Sequence, residues 1–302
     1  MRLSEVKAIL QSISVEESKL SFKHVDGTGY DVSNLAAFKE FLRKVSSIFF
    51  YKNEVEELTN SVLYTTSQNT IRVSTEKTRQ ISKNSNYICN SAEALQKALT
   101  SIIPESEENT IHVKLPCSND LHLMIKSITE FEKSINQVIV NDIINGYIKI
   151  KRWESGSFWI ELILGSQAAV TLIAGVAWSA AVISKKITEG KIIEQHVRSL
   201  GIKNESLEDL LQKQKEITDL LLYHEVKNLQ VKHFGTDNDN EITERLKLTT
   251  KTFAELIQQG AEVHPALNAP EQVQNVFPDF NQLDSLTTQI KQIEHDSKGE
   301  AS

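Results

Sequence analysis

The stretch that most constrains this chain runs from Leu162 to Ser184, LILGSQAAVTLIAGVAWSAAVIS, and holds no charged residue. A membrane-crossing helix needs about 20 apolar residues to cover roughly 30 Å of hydrocarbon, and this stretch is long enough. Trp159 before it, and Lys185 and Lys186 after it, are of the types that anchor helix ends at a bilayer interface. Gly175 and Ser179 form a small-xxx-small pair, the spacing that lets two helices approach closely in lipid.

The residues just before argue for a soluble core. Tyr147 to Trp153, YIKIKRW, alternates apolar and basic side chains with the period of a half-buried strand. Glu154-Ser155-Gly156 fits a three-residue hairpin loop, with Gly156 in the left-handed position. A return strand from Ser157 to Leu164 then sets Ile150 opposite Ile160, Ile148 opposite Leu162 and Lys149 opposite Glu161. That hairpin, 147–164, removes Leu162 to Leu164 from any helix. What remains wholly small or apolar is Ala168 to Ile183, roughly 24 Å of helix at about 1.5 Å per residue. Lengths like this suit a buried core helix better than a span.

The faces of that helix, expected over 166–189, are uneven. Gln167, Thr171, Gly175 and Ser179 form a row of small or polar residues, with Leu172, Ile173, Val176, Ala180 and Ile183 opposite or beside it. A core helix lays its bulky side on a sheet and gives the small row to another helix. A membrane helix packs through the same row. Leu172, Ile173, Gly175, Val176, Trp178 and Ser179 are therefore the candidate contacts with a membrane or a partner.

Around this centre the pattern predicts an α+β chain. Leu20 to Val32 flank Asp26-Gly27 as a hairpin. Ser33 can cap a helix from Asn34 to about Tyr51, whose apolar face carries Phe38, Phe41, Ile48 and Phe49. That phenylalanine stripe fits core packing better than a partner groove. TIRVS at 70–74 and TIHVKL at 110–115 read as strands, and Asn90 can cap a helix reaching about Ile102. A long helical pattern follows from Asp120 to about Ile144. Strand, crossover helix and strand from Thr110 onward suggest a small mixed sheet with a parallel pairing.

After Gly190 the chain turns polar and helical. Leu207 to Leu229 shows a broken heptad, Leu207, Leu210, Gln214, Ile217, Leu221 and His224, too short for a coiled coil. Glu241 to Gln259 supplies an antiparallel partner, because the loop between them is short. The expected division is an α/β domain at 1–190 that includes the apolar helix, a helical hairpin unit at 191–263, and an extended segment with a disordered tail at 264–302.

Motifs for chemistry are weak throughout. Asp237-Asn238-Asp239-Asn240-Glu241 begins like a calcium loop, but Ile242 stands where the turn glycine belongs and Leu248 where the bidentate glutamate belongs. Gly27-Thr28-Gly29 lacks the further glycine and lysine of a phosphate cradle, and Ser155-Gly156-Ser157 is no nucleophile elbow. The eight histidines include no HExxH pair and no zinc spacing with Cys89 or Cys117. No catalytic residue, metal or cofactor is assigned. A net charge of −7 argues against a nucleic-acid partner. The two cysteines, with no secretory signal before them, suggest free thiols in a reducing compartment. These readings point to a non-enzymatic interaction or regulatory protein of the cytoplasm, whose helical unit docks a partner or self-associates. The alternative is a membrane-associated protein whose helix 162–184 inserts into or anchors to a bilayer.

Overall fold

A computed structural model describes residues 1–25, 29–105, 107–116, 120–154, 158–199, 204–236 and 238–286. The chain is α+β and divides into two compact units, Met1–Glu105 and Ser106–Ser302.

The first unit opens with α1 (Leu3–Gln11), α2 (Val15–Ser18) and strands β1 (Ser21–Val25) and β2 (Gly29–Ser33). Helices α3 (Leu35–Val45), α4 (Lys52–Thr59) and α5 (Val62–Thr65) lead to β3 (Thr70–Val73) and the long α6 (Thr75–Ile102). The sheet runs β1-β2-β3, antiparallel throughout. Gly29 is required by this sheet: its φ is +115°, and a Cβ there would lie 2.2 Å from the Val73 carbonyl oxygen. Phe38, Phe41, Leu42, Tyr51, Ile81 and Ile88 fill the core.

Three expectations are corrected here. The cap of α3 is Asn34 at φ 71°, with no side-chain cap bond, because Asn tolerates the left-handed region that Ser33 would resist. The same helix stops at Val45, and a 3-10 turn, Phe49–Tyr51, follows, so Phe49 leaves the apolar face and enters solvent. Asn90 caps nothing, since α6 runs unbroken from its cap at Ser74.

The second unit begins with β4 (Thr110–Lys114), α7 (Leu121–Ile139), β5 (Lys149–Glu154) and β6 (Trp159–Ile163). It continues with α8 (Gln167–Ser199), α9 (Asn204–Phe234), α10 (Asn240–Gln258), β7 (Glu262–Pro265) and α11 (Glu271–Gln274). Asp120 caps α7, its side chain accepting from the His122 and Leu123 backbone N–H groups. The four-stranded order is β5-β6-β4-β7, and every pairing is antiparallel. The expected parallel pair is therefore corrected. The crossover through α7 does leave β4 and β5 pointing the same way, but β6 inserts between them and pairs with both.

The hairpin 147–164 is present with a different register. Ile150 faces Leu162, Trp153 faces Ile160, and Arg152, not Lys149, faces Glu161. A bulge at Lys151 interrupts β5, and the loop residues Ser155 to Ser157 lie outside the described set. Sliding the pairing by an odd number of residues would turn the apolar side chains to the wrong face; the bulge adds the residue that turns Ile150 and Ile148 back.

Helix α8 is the centre of the unit. Leu172, Ile173, Val176, Ala177 and Ala180 are wholly buried in one cluster with Ile111, Ile135, Leu162, Leu229 and Phe253. Burying each large apolar side chain contributes roughly 1.5–3 kcal/mol. The helix runs on to Ser199, ten residues past its expected end near 189, and packs against α9 and α10. By packing it belongs with those C-terminal helices and with strands from 110 onward, whereas its sequence position grouped it with residues 1–190.

Candidate functional site

Two features of the second unit are candidates: the α8–α9 pair and the outer face of the four-stranded sheet. The pair is built by small residues. A Cβ on Gly175 would come within 2.6 Å of Leu229 Cδ2, so the Leu229 side chain packs directly over the glycine. Ser179 Oγ donates to Glu225 Oε2 at 2.8 Å, one turn further along α8 and one turn back along α9. Gly190 then faces Gln214. The small row of α8 thus faces α9 in antiparallel register.

This contact encloses two titratable groups. Glu225 is buried; its Oε1 has no hydrogen-bond partner among the described residues. Burial raises its pKa above the usual carboxylate range, against the lowering effect of the Ser179 bond. His233 sits close to Gly175, and burial, with the Lys232 charge second, pushes its pKa down to about 4.

Of the candidate contact residues, Leu172, Ile173, Gly175, Val176 and Ser179 are enclosed by the chain itself. Trp178 is half-buried and borders a cleft of about 420 Å³ under the segment 265–286, with Phe277, Pro278 and Leu286. The helix is long and apolar enough to cross a membrane, and 78% of its most apolar window is buried inside the unit.

The heptad read on α9 is split between its two sides, with Gln214 against Gly190 of α8 and Leu221 packed against the core. Leu210, Ile217 and His224 are exposed, and Leu207 lies among residues whose side chains are not described. The inward face is instead Leu222, Glu225, Val226, Leu229 and Gln230, with Leu221 half-buried. Leu220 and Tyr223 join the outward row at 60% and 45% exposure, and Ile192 and Ile193 are exposed on the tail of α8. Helix α9 carries apolar residues on both sides, and among the described residues the side with Leu222, Val226 and Leu229 is the buried one.

The sheet carries a row that sequence reasoning missed. Across the strands, Arg152, Glu161, His112 and His264 stand in register on β5, β6, β4 and β7. Glu161 and His112 are buried, with Nε2 of the imidazole 3.9 Å from the carboxylate. Arg152 Nε lies 2.6 Å from Glu161 Oε2, and Lys151 Nζ lies 3.9 Å from Oε1. Beside it runs a second row, Glu154, Trp159, Lys114 and Glu262. His264 lies 2.9 Å from Glu262, between the rings of Trp159 and Phe280. The Glu262 carboxyl is pushed up by burial, but bonds from Lys114 and His264 outweigh this and hold it below its ordinary range. The row sets the Glu161 carboxylate between Arg152 and the His112 ring, inside the sheet. Its only sequence sign was period-2 alternation that placed Glu and His where a solvated face was expected.

Asp239 of the acidic loop caps α10 by accepting from Glu241 and Ile242 N–H groups, while Asp237 lies outside the described residues. Among the described residues no three His, Cys, Asp or Glu side chains are grouped so as to hold a metal ion. Cys89 is a buried free thiol and Cys117 is outside the described set.

The chain is 26% identical over 290 residues to the uncharacterized protein YqaP of Bacillus subtilis (strain 168), an alignment covering 92% of this chain and 93% of that protein. No family model matches the chain. No solved structure matches it.

Proposed function

We propose that the protein is a non-enzymatic interaction or regulatory protein of the cytoplasm, which docks a helical partner or a second copy through the outer face of α9. One observation carries this reading. Leu210, Ile217, Leu220 and Tyr223 are exposed on a helix whose opposite side is already committed to α8 and α10. A solvent-facing helix normally turns polar residues outward, and an outward apolar row is the signature of a surface awaiting cover. Ile192 and Ile193 are likewise exposed, on the tail of α8.

Insertion of 162–184 into a bilayer is the rival reading, supported by length and composition. Its apolar side chains would first have to leave α9, α10 and the sheet. Light scattering after size-exclusion chromatography tests the first reading: wild-type chain should run above monomer mass, alone or with its partner, and Ile217→Lys/Leu220→Lys should not. A wild-type protein that pellets with membranes and resists an alkaline wash would favour the rival.

A further inference from the structure

We propose that the cleft between α4 and α6 of the first unit binds a free α-amino acid. The cleft holds about 270 Å³ and lies between the end of α4, the turn after it and one face of α6. Lys77, Gln80, Ile81 and Asn84 border it from α6 at helical spacing, so one helix face supplies a whole wall. Glu57 and Asn60 stand on the opposite wall. The Glu57 carboxylate is held in place. Asn84 Nδ2 donates to its Oε2 at 2.6 Å, and Gln80 Nε2 donates to the same oxygen at 3.4 Å. Asn84 is buried, which makes its amide a fixed donor. Both bonds fall on Oε2, and among the described residues nothing donates to Oε1.

Lys77 stands two helical turns before Asn84 on α6, about 10 Å along the axis at 1.5 Å per residue. Among the described residues it forms no ion pair, with Glu57 or with any other carboxylate. Two opposite charges thus border one cleft without neutralising each other, because the amides of α6 hold the carboxylate where it is. That arrangement suits a zwitterion. An α-amino acid carries its ammonium and carboxylate one carbon apart. The ammonium meets Glu57 Oε1, and the carboxylate meets the Lys77 ammonium, a compact charge with three donors. The Asn60 side-chain amide, which makes no hydrogen bond among the described residues, is placed to donate to the same carboxylate. Between the charges, the buried Leu58 and Ile81, with Val62 at the lip, offer an apolar seat for the ligand side chain. A simple amine or a simple acid would satisfy one wall and leave the other charge unmet. A phosphate ester would be opposed by Glu57, and a metal ion would find a single carboxylate.

The test is isothermal titration of the full chain with each of the twenty standard L-amino acids. At least one should bind with a Kd below about 1 mM. Its methyl ester and its N-acetyl derivative should each bind ten-fold or more weakly, because each lacks one of the two charges. Glu57→Gln and Lys77→Ala should each lose ten-fold or more in affinity with an unchanged melting curve, since both side chains are exposed. An Ile217→Lys/Leu220→Lys chain should bind the amino acid as wild type does, which separates this site from the outer face of α9. Binding of none of the twenty, an ester or N-acetyl derivative that binds as well as the free amino acid, or affinity unchanged in either single variant would each overturn the proposal.

Discussion

Arg152 Nε lies 2.6 Å from Glu161 Oε2 across the β5–β6 pair, and the carboxylate it neutralises is buried beneath the sheet's outer face. The contact has ion-pair distance without hydrogen-bond alignment, so its strength comes from charge in a poorly solvated place. Removing one partner leaves the other unbalanced. Glu161→Ala should destabilise the second unit by about 3 kcal/mol, read as a lower midpoint in urea. Arg152→Met/Glu161→Leu should recover most of that loss. A double variant no better than the single one would count against the pairing.

The α8–α9 contact should respond to pH in two opposed ways. The folded pKa of His233 is depressed to about 4, so the stability it contributes is complete above about 6.5 and lost as pH falls toward 4. The loss should be of order 2 kcal/mol after allowance for its partial exposure. His233→Gln should flatten the curve in that window.

Glu225 has the opposite sign. Its folded pKa is raised above 4.5, so its contribution is most favourable below 4.5 and declines as pH rises through the elevated value. Glu225→Gln should therefore unfold at higher temperature than wild type at pH 7 and lose that advantage at pH 4. Equal melting temperatures at pH 7 would show that Glu225 carries no ionisation penalty.

Cys89 should be inert in the native protein. Burial raises its thiol pKa to about 11, which leaves almost no thiolate at neutral pH. A thiol reagent should label it only at the rate of unfolding, and rapid native labelling mapped to Cys89 would contradict the packing.

Ala177 lies at the buried middle of α8. Ala177→Arg should give insoluble or unfolded chain, because the core has no partner for the charge. Soluble, folded Ala177→Arg protein would show that this face of α8 is open to solvent or lipid.

The elements legible in the sequence are those with a strong period. Strands β3 to β6 and helices α8 and α10 follow from alternation or from helical spacing. The β5–β6 register was not legible, because a bulge at Lys151 leaves no mark in composition. Strand β7 is four residues ending in Pro265, too short for a pattern. The face of α9 was misread for a physical reason. Its buried side mixes Glu225 and Gln230 with Leu222, Val226 and Leu229, while its exposed side carries Leu210, Ile217 and Leu220, so apolar spacing did not single out one face. Phe49 was misplaced because three residues after Val45 break the helical phase.

The sheet of the second unit is complete only when β7 pairs with β4, and α8 is enclosed only when α10 has packed beside it. Both arrive late in synthesis. Helix α8 is complete at Ser199, and β7 ends at Pro265, roughly 65 residues afterwards. At about 5–20 residues per second, a ribosome leaves the most apolar segment of this protein without its cover for several seconds. In that interval the nascent helix has its apolar face bare, so the order of translation exposes for seconds the residues that the finished fold covers.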